Sequence, residues 1–203
     1  MTARATVKSA HTAAPLHPIL AERWSPRGFD AGHELTTEQM TALLEAARWA
    51  PSANNSQPWR FAVALRGSDA FEAILSSLAP GNQSWAQAAS GLLVVAAETV
   101  NSDGAPSRWA SYDTGQAVAH LTVQAEHEGL AVHQMGGFDR DRLKTLLELP
   151  AHVSPLVVVA VGRRDETSQL PEPFASREGA ARERRPLGDL LIPTESMRAP
   201  VAA

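Results

Sequence analysis

At 203 residues, with 44% hydrophobic and 20% charged residues, the chain has the composition of one ordinary globular domain able to bury its own core. A net charge of -4 argues against nucleic acid as the main partner, because backbone phosphate binding draws on a surplus of lysine and arginine. The lack of cysteine excludes disulfides, thiol nucleophiles and cysteine-zinc sites, and it fits a reducing cytoplasm.

In chain order, Met1 to Pro15 carries Arg4 and Lys8 but no long apolar core, so residues 1–17 read as a flexible N-terminal arm rather than a secretory signal. Pro18 to Leu20 leads into Arg23-Trp24-Ser25-Pro26-Arg27-Gly28-Phe29, where two forked guanidiniums flank a hydroxyl and can grip one phosphate. As a solvated turn around Pro26 and Gly28, the same arginines would make only weak surface pairs. A helix follows. Thr36 and Gln39 have capping-box spacing, Met40, Leu43, Leu44 and Ala47 mark one apolar face, and Pro51 stops it.

That helix delivers the chain to Ala50-Pro51-Ser52-Ala53-Asn54-Asn55-Ser56-Gln57-Pro58-Trp59, a stretch too polar for core and pinned near both ends by proline. Its small hydroxyl and amide side chains suit the edge of a flat heteroaromatic ring such as a flavin, and they equally suit an ordinary loop satisfying its own backbone. Trp59, Phe61, Val63 and Leu65 alternate as a strand closed by Gly67, and Asp69 to Leu78 reads as a short helix ended near Pro80. Asn82-Gln83-Ser84-Trp85 precedes the strand Leu92 to Ala97, whose unbroken apolar run predicts cover on both faces. Neither that run nor Leu156 to Val161 reaches the roughly 20 residues of a bilayer helix, so no membrane partner is expected.

Val100 to Trp109, rich in Asn, Ser, Asp, Gly and Pro, predicts a surface loop and a candidate lid. A second strong helix spans Asp113 to Glu128, with Val118, Leu121 and Ala125 on one face and Gly129 as its stop. His120, His127 and His133 read as solvent-facing or hydrogen-bonded rather than as metal ligands. Met135-Gly136-Gly137-Phe138-Asp139 makes a turn in which backbone can approach a ligand closely, and Asp139 caps the helix carrying Leu143, Leu146 and Leu147. Leu156 to Val161 is the third strand. Beyond Asp165, Pro171, Pro173, Pro186 and Pro193 forbid long helices, so residues 166–203 read as a C-terminal arm on a folded domain of residues 18–165. Arg182, Arg184 and Arg185 in that arm are a solvated charge run unless the phosphate site near Arg23 and Arg27 requires more cations.

Five of these segments occur together in one order: Arg23-x-Ser25-x-Arg27, Ala50-Pro51-Ser52-x-x-Asn55-x-Gln57-Pro58-Trp59, Gly136-Gly137-Phe138-Asp139, Val161-Gly162-Arg163 and Arg182-x-Arg184-x-Pro186. The set resembles the nitroreductase family of flavin mononucleotide (FMN) enzymes over roughly residues 18–190. The resemblance implies an α+β fold with a mostly antiparallel central sheet flanked by helices, and an intertwined homodimer with two FMN sites at its interface. It assigns Arg23, Trp24, Ser25 and Arg27 to the phosphate and ribityl end, with Arg27 nearer the ring, and Arg182 and Arg184 to the rest of the phosphate clamp. Pro51, Ser52, Ala53 and Asn55 would line the isoalloxazine, Gln57 the ribityl or ring edge, and Asn82 the pyrimidine side. Gln134, Met135, Gly136 and Gly137 would lie along the opposite edge near N5.

Three positions depart from the family pattern: Ala53 replaces one of a hydroxyl pair, Trp85 stands near a lysine position, and Gly136 replaces a glutamate. The second leaves Arg27 as the charge favouring reduced flavin. One unit charge at about 4 Å with an effective dielectric of about 20 is worth roughly 4 kcal/mol before desolvation. The implied reaction takes hydride from NADH or NADPH onto flavin N5 and passes it, by a ping-pong cycle, to a small planar acceptor such as a nitroaromatic or quinone, with no catalytic side chain. The same scaffold also hosts flavin oxidases and dehydrogenases acting on a small metabolite or peptide, and a flavin-binding protein without turnover would use the same residues.

Overall fold

The computed structural model of the chain describes residues 8–101 and 103–192; the first seven residues, Ser102 and the end of the expected C-terminal arm lie outside the described residues. Among the described residues there are seven α-helices and four strands: α1 Pro18–Glu22, α2 Thr37–Arg48, β1 Trp59–Leu65, α3 Asp69–Leu75, α4 Pro80–Ala86, β2 Gly91–Glu98, α5 Ala110–His127, β3 Ala131–Met135, α6 Arg140–Leu146, β4 Val153–Gly162 and α7 Phe174–Gly179. The strands form one fully antiparallel sheet in the order β1-β2-β4-β3. None of these helices is long and apolar enough to cross a membrane.

Alternation along β2 explains the layers. Leu93 and Val95 face α2 and α5, where they pack with Leu43, Ala47, Leu121 and Ala125. Their neighbours Leu92 and Val94 face the other way, onto Phe71 and Ile74 of α3, Trp85 of α4 and Leu143 of α6. Both faces of the central strand are thus dry, as its unbroken apolar run requires. The α2 helix begins at the expected capping box, in which Thr36 Oγ1 accepts from Gln39 N and the Gln39 side chain accepts from Thr36 N. Its last turn hands the chain to the polar loop.

Two elements escape periodicity. The α4 helix has a Pro-Gly-Asn start and little intrinsic propensity; Pro80 stands in its first turn and the burial of Trp85 and Ala86 holds it. The short β3 carries two polar residues in five, and its pairing with β4 supplies what its sequence does not. Pro155, inside central β4, is tolerated because it pairs with Ala96 where the register shifts past Val95.

The end of β4 seats the basic segment. Phe29 bridges Arg164, Asp30 N donates to Arg163 O at 2.9 Å, and Asp165 N donates to Gly28 O at 3.1 Å. The approach at Gly28 is so close that an added Cβ would overlap Asp165 O and Ser168 Oγ. Gly28→Ala is therefore expected to cost about 1–3 kcal/mol through overpacking, read as a lowered midpoint in thermal or urea unfolding.

Candidate active site

Arginine side chains gather where the segment after α1 crosses the far end of α5. Arg164 pairs with Glu126 at 3.2 Å, with both side chains largely buried, and its guanidinium lies 5.4 Å from the Trp24 ring centroid. Arg182 reaches back to donate to Ala21 O at 2.7 Å and Lys8 O at 2.9 Å, while Lys8 stands over the same Trp24 ring and donates to Ala180 O. Lys8, inside the expected N-terminal arm, is thereby tied to the C-terminal segment. Arg23 Nη2 donates to Ser25 Oγ at 3.4 Å.

The cluster has more donors than acceptors. Burial pushes the Arg23 guanidinium below its ordinary value; Glu126 opposes this, and the neighbouring charges of Arg184 and Arg164 add to it. Arg182 is lowered in the same way, by burial and then by Arg23 and Arg184. Arg23 Nε, Trp24 Nε1 and Arg164 Nε are buried and have no acceptor among the described residues. A tetrahedral dianion such as a phosphate monoester, with several acceptor oxygens, supplies what the cluster lacks.

Arg27 leads from this cluster towards α4. Its backbone N and that of Gly28 donate to the Glu178 carboxylate of α7 at 2.9 and 3.2 Å. Its guanidinium lies 6.0 Å from the Trp85 ring and 5.5 Å from that of Phe174. Trp85 is only 1% exposed, so it is a core residue beneath Arg27 and not a platform for a substrate. Asn82, one turn earlier on α4, donates to Gly137 O at 3.1 Å. A Cβ on Gly137 would press on Asn82 Nδ2 and Ala79 Cβ, so the Gly-Gly turn is held against α4 by its lack of a side chain. Asn82 and Gly137 therefore meet at the start of α4, and Arg27 stands over Trp85 one turn further along the same helix. Gly136 and Gln134 are exposed nearby, whereas the Met135 side chain belongs to the core and offers only backbone.

His133 fastens this region from beneath. Its Nδ1–H donates to Pro26 O at 2.9 Å, and its ring lies 4.5 Å from that of Trp85, tilted by 46°. Burial pushes it from 6.5 to about 4, with the nearby Arg27 charge acting in the same sense and the Pro26 bond against it. His120 and His127 are exposed, and no group of three or more metal-ligating side chains assembles among the described residues.

The polar loop is built at the opposite end of α5. Ser52 Oγ accepts from Gln57 N at 3.1 Å, Ser52 O from Asn55 N at 3.0 Å, and Asn55 O from Gln57 Nε2 at 3.1 Å. Asn54, Asn55 and Gln57 all take left-handed backbone angles, of 52°, 55° and 46° in φ, a conformation that asparagine tolerates best among larger residues. One contact anchors the whole: Asp113, 3% exposed on the first turns of α5, accepts from Ala53 N at 3.0 Å. Asn55 and Gln57 project into solvent, and Pro51 is exposed beside them.

The loop and the arginine cluster do not meet. Asp113 and Glu126 stand thirteen residues apart on one helix, a rise of roughly 20 Å. Of the residues expected from sequence, Arg23, Trp24, Ser25, Arg182 and Arg184 gather in one cluster with Arg27 leading from it to α4, where Asn82 meets Gly137, while Pro51, Ser52, Ala53, Asn55 and Gln57 lie together in the loop. Sequence reasoning missed Asp113, Glu126, Arg164 and Glu178. Each acts through a tertiary partner far along the chain, and no local pattern marks it.

The model of the nitroreductase family matches residues 20–83 and 69–163 of this chain. Protein DrgA of Synechocystis sp. is 29% identical, over 86% of this chain and 93% of its own. An NADH dehydrogenase of Thermus thermophilus is 28% identical, over 74% of this chain and 82% of its own. Among solved structures, a crystal structure described as an oxidoreductase containing FMN superposes with a TM-score of 0.85 at 36% identity, covering 93% of this chain and 96% of the other.

Two outcomes follow from these contacts. Asp113→Ala strands the Ala53 N–H and is expected to destabilise by about 1–3 kcal/mol, whereas Asp113→Asn, which keeps an acceptor, recovers most of that in thermal melts. His133 stays neutral in the folded chain down to about pH 4 but protonates near 6.5 when unfolded. Its contribution is complete above pH 6.5 and falls away as pH drops towards 4, by about 3 kcal/mol in all. His133→Gln should flatten that part of the stability-against-pH curve.

Proposed function

The chain belongs to the nitroreductase family, and on that premise we propose that it is an FMN-dependent NAD(P)H oxidoreductase working as a homodimer. The observation that carries the reading is the set of buried donors on Arg23, Trp24 and Arg164 that have no acceptor among the described residues, beside Arg182 and Arg184. That arrangement suits the terminal phosphate of FMN. The resemblance to an FMN-containing oxidoreductase and to an NADH dehydrogenase supports the same cofactor and donor.

FMN, when bound, supplies two-electron transfer between a nicotinamide donor and an acceptor, and the protein's work is to bind, orient and exclude water. Arg23, Ser25, Arg182 and Arg184 hold the phosphate. Arg27, Asn82 and Gly137 hold one side of the ring and present a positive charge to it. The roughly 20 Å between the arginine cluster and the Pro51 to Gln57 loop is why a second copy is needed: the loop of one subunit completes the site of the other. Donor and acceptor then take the same place in turn, the acceptor being planar, such as a nitroaromatic or a quinone.

Purified protein is expected to absorb between roughly 350 and 500 nm and to bleach on adding NADH or NADPH, recovering its colour with a quinone. Arg23→Ala and Asn55→Gly, the second chosen because glycine keeps the left-handed backbone, should each lose FMN with little change in melting temperature. Mixing the two variants and allowing subunits to exchange should restore roughly a quarter of wild-type flavin content, since each hybrid dimer carries one intact site. Flavin content at the mean of the two variants would instead place each site within a single subunit.

A further inference from the structure

Beside the polar loop lies a cavity of about 780 Å3, bordered by Ala53, Asn54 and Ser56 on the loop and by Arg108, Trp109 and His152 across from it. Its volume suits one small aromatic molecule. Because Ala53 belongs both to this wall and to the residues assigned to the flavin ring, the cavity adjoins the place of reaction. We propose that it selects the acceptor, and that the acceptor is a planar aromatic bearing an anionic group; this rests on the oxidoreductase reading above.

Charge and shape both point that way. Trp109 is 51% exposed, in edge contact with Tyr112 at 6.3 Å, and so presents an indole surface that the core does not consume. The Arg108 guanidinium lies 5.3 Å from the Trp109 ring centroid and has no ion pair among the described residues. Of the two carboxylates bordering the cavity, Glu98 is neutralised by Arg60 at 2.7 Å, and Asp103 sits exposed on the turn closed by Asn101. An aromatic ring entering the cavity at the edge of Trp109 brings a carboxylate to the forked donors of Arg108, whose guanidinium lies over the indole. The Asn101 side chain, accepting from Asp103 N at 3.1 Å and Ala105 N at 2.9 Å, fixes the loop that presents both residues.

Equilibrium dialysis of the FMN-loaded protein against 4-nitrobenzoate and its neutral analogue 4-nitrobenzamide tests this. The wild type is expected to prefer the anion by about tenfold or more, the worth of one charge-assisted contact. Arg108→Gln should bring that ratio to about one, Arg108→Lys should keep part of it, and Trp109→Ala should weaken both ligands together. A wild-type ratio near one, or a preference that survives Arg108→Gln, overturns the proposal. Bleaching of the wild-type flavin by NAD(P)H on the same preparation bears on the oxidoreductase reading alone, so the two fail separately.

Discussion

The rigidity and length of α5 constrain everything else in this protein. Eighteen helical residues hold the Ala53 amide near one end, through Asp113, and the Arg23 and Arg164 guanidiniums near the other, through Glu126. A helix packed along a sheet cannot shorten, so the two groups of candidate site residues stay apart in each chain. A two-fold related pair removes the difficulty, because it sets the start of one helix beside the end of the other without bending either. In the proposed homodimer, assembly is therefore a condition of having a site at all.

Both groups are built against the grain of stability. Guanidiniums withdrawn from water beside one another pay desolvation and repulsion, visible in the lowered affinity of Arg23 and Arg182 for their protons. Three non-glycine residues in left-handed backbone cost of order 1–3 kcal/mol each in general, less for asparagine. These strains are held by ordinary structure: Gly28 locked against Asp165, the Ser52 and Asp113 hydrogen bonds, and His133 pinning Pro26 from below. Departures from local preference that persist only because surroundings enforce them are typical of places where a ligand repays the cost.

Much of this was legible in the chain itself. The capping box at Thr36, the inward face of α2, the doubly covered β2 and the helix through Leu121 follow from periodicity, because burial imposes periodicity. The α4 helix and β3 did not show, since burial of Trp85 and pairing with β4 override weak local propensity. Motif order marked the arginines, the Gly-Gly turn and the polar loop, but which of them meet depends on sheet order and on the course of α5, neither of which is written in any short segment. Asp113 is the clearest case: in sequence it reads as the first turn of a helix, and only the fold reveals that it anchors a loop 60 residues earlier.

Arg182 grips carbonyl oxygens 161 and 174 residues before it, so the candidate anion site closes only once the chain through that arginine is present. A ribosome releasing this chain would expose the sheet and both helical layers well before that arginine emerges. In the proposed oxidoreductase, capture of the phosphate-bearing cofactor would accordingly follow folding of the body rather than nucleate it.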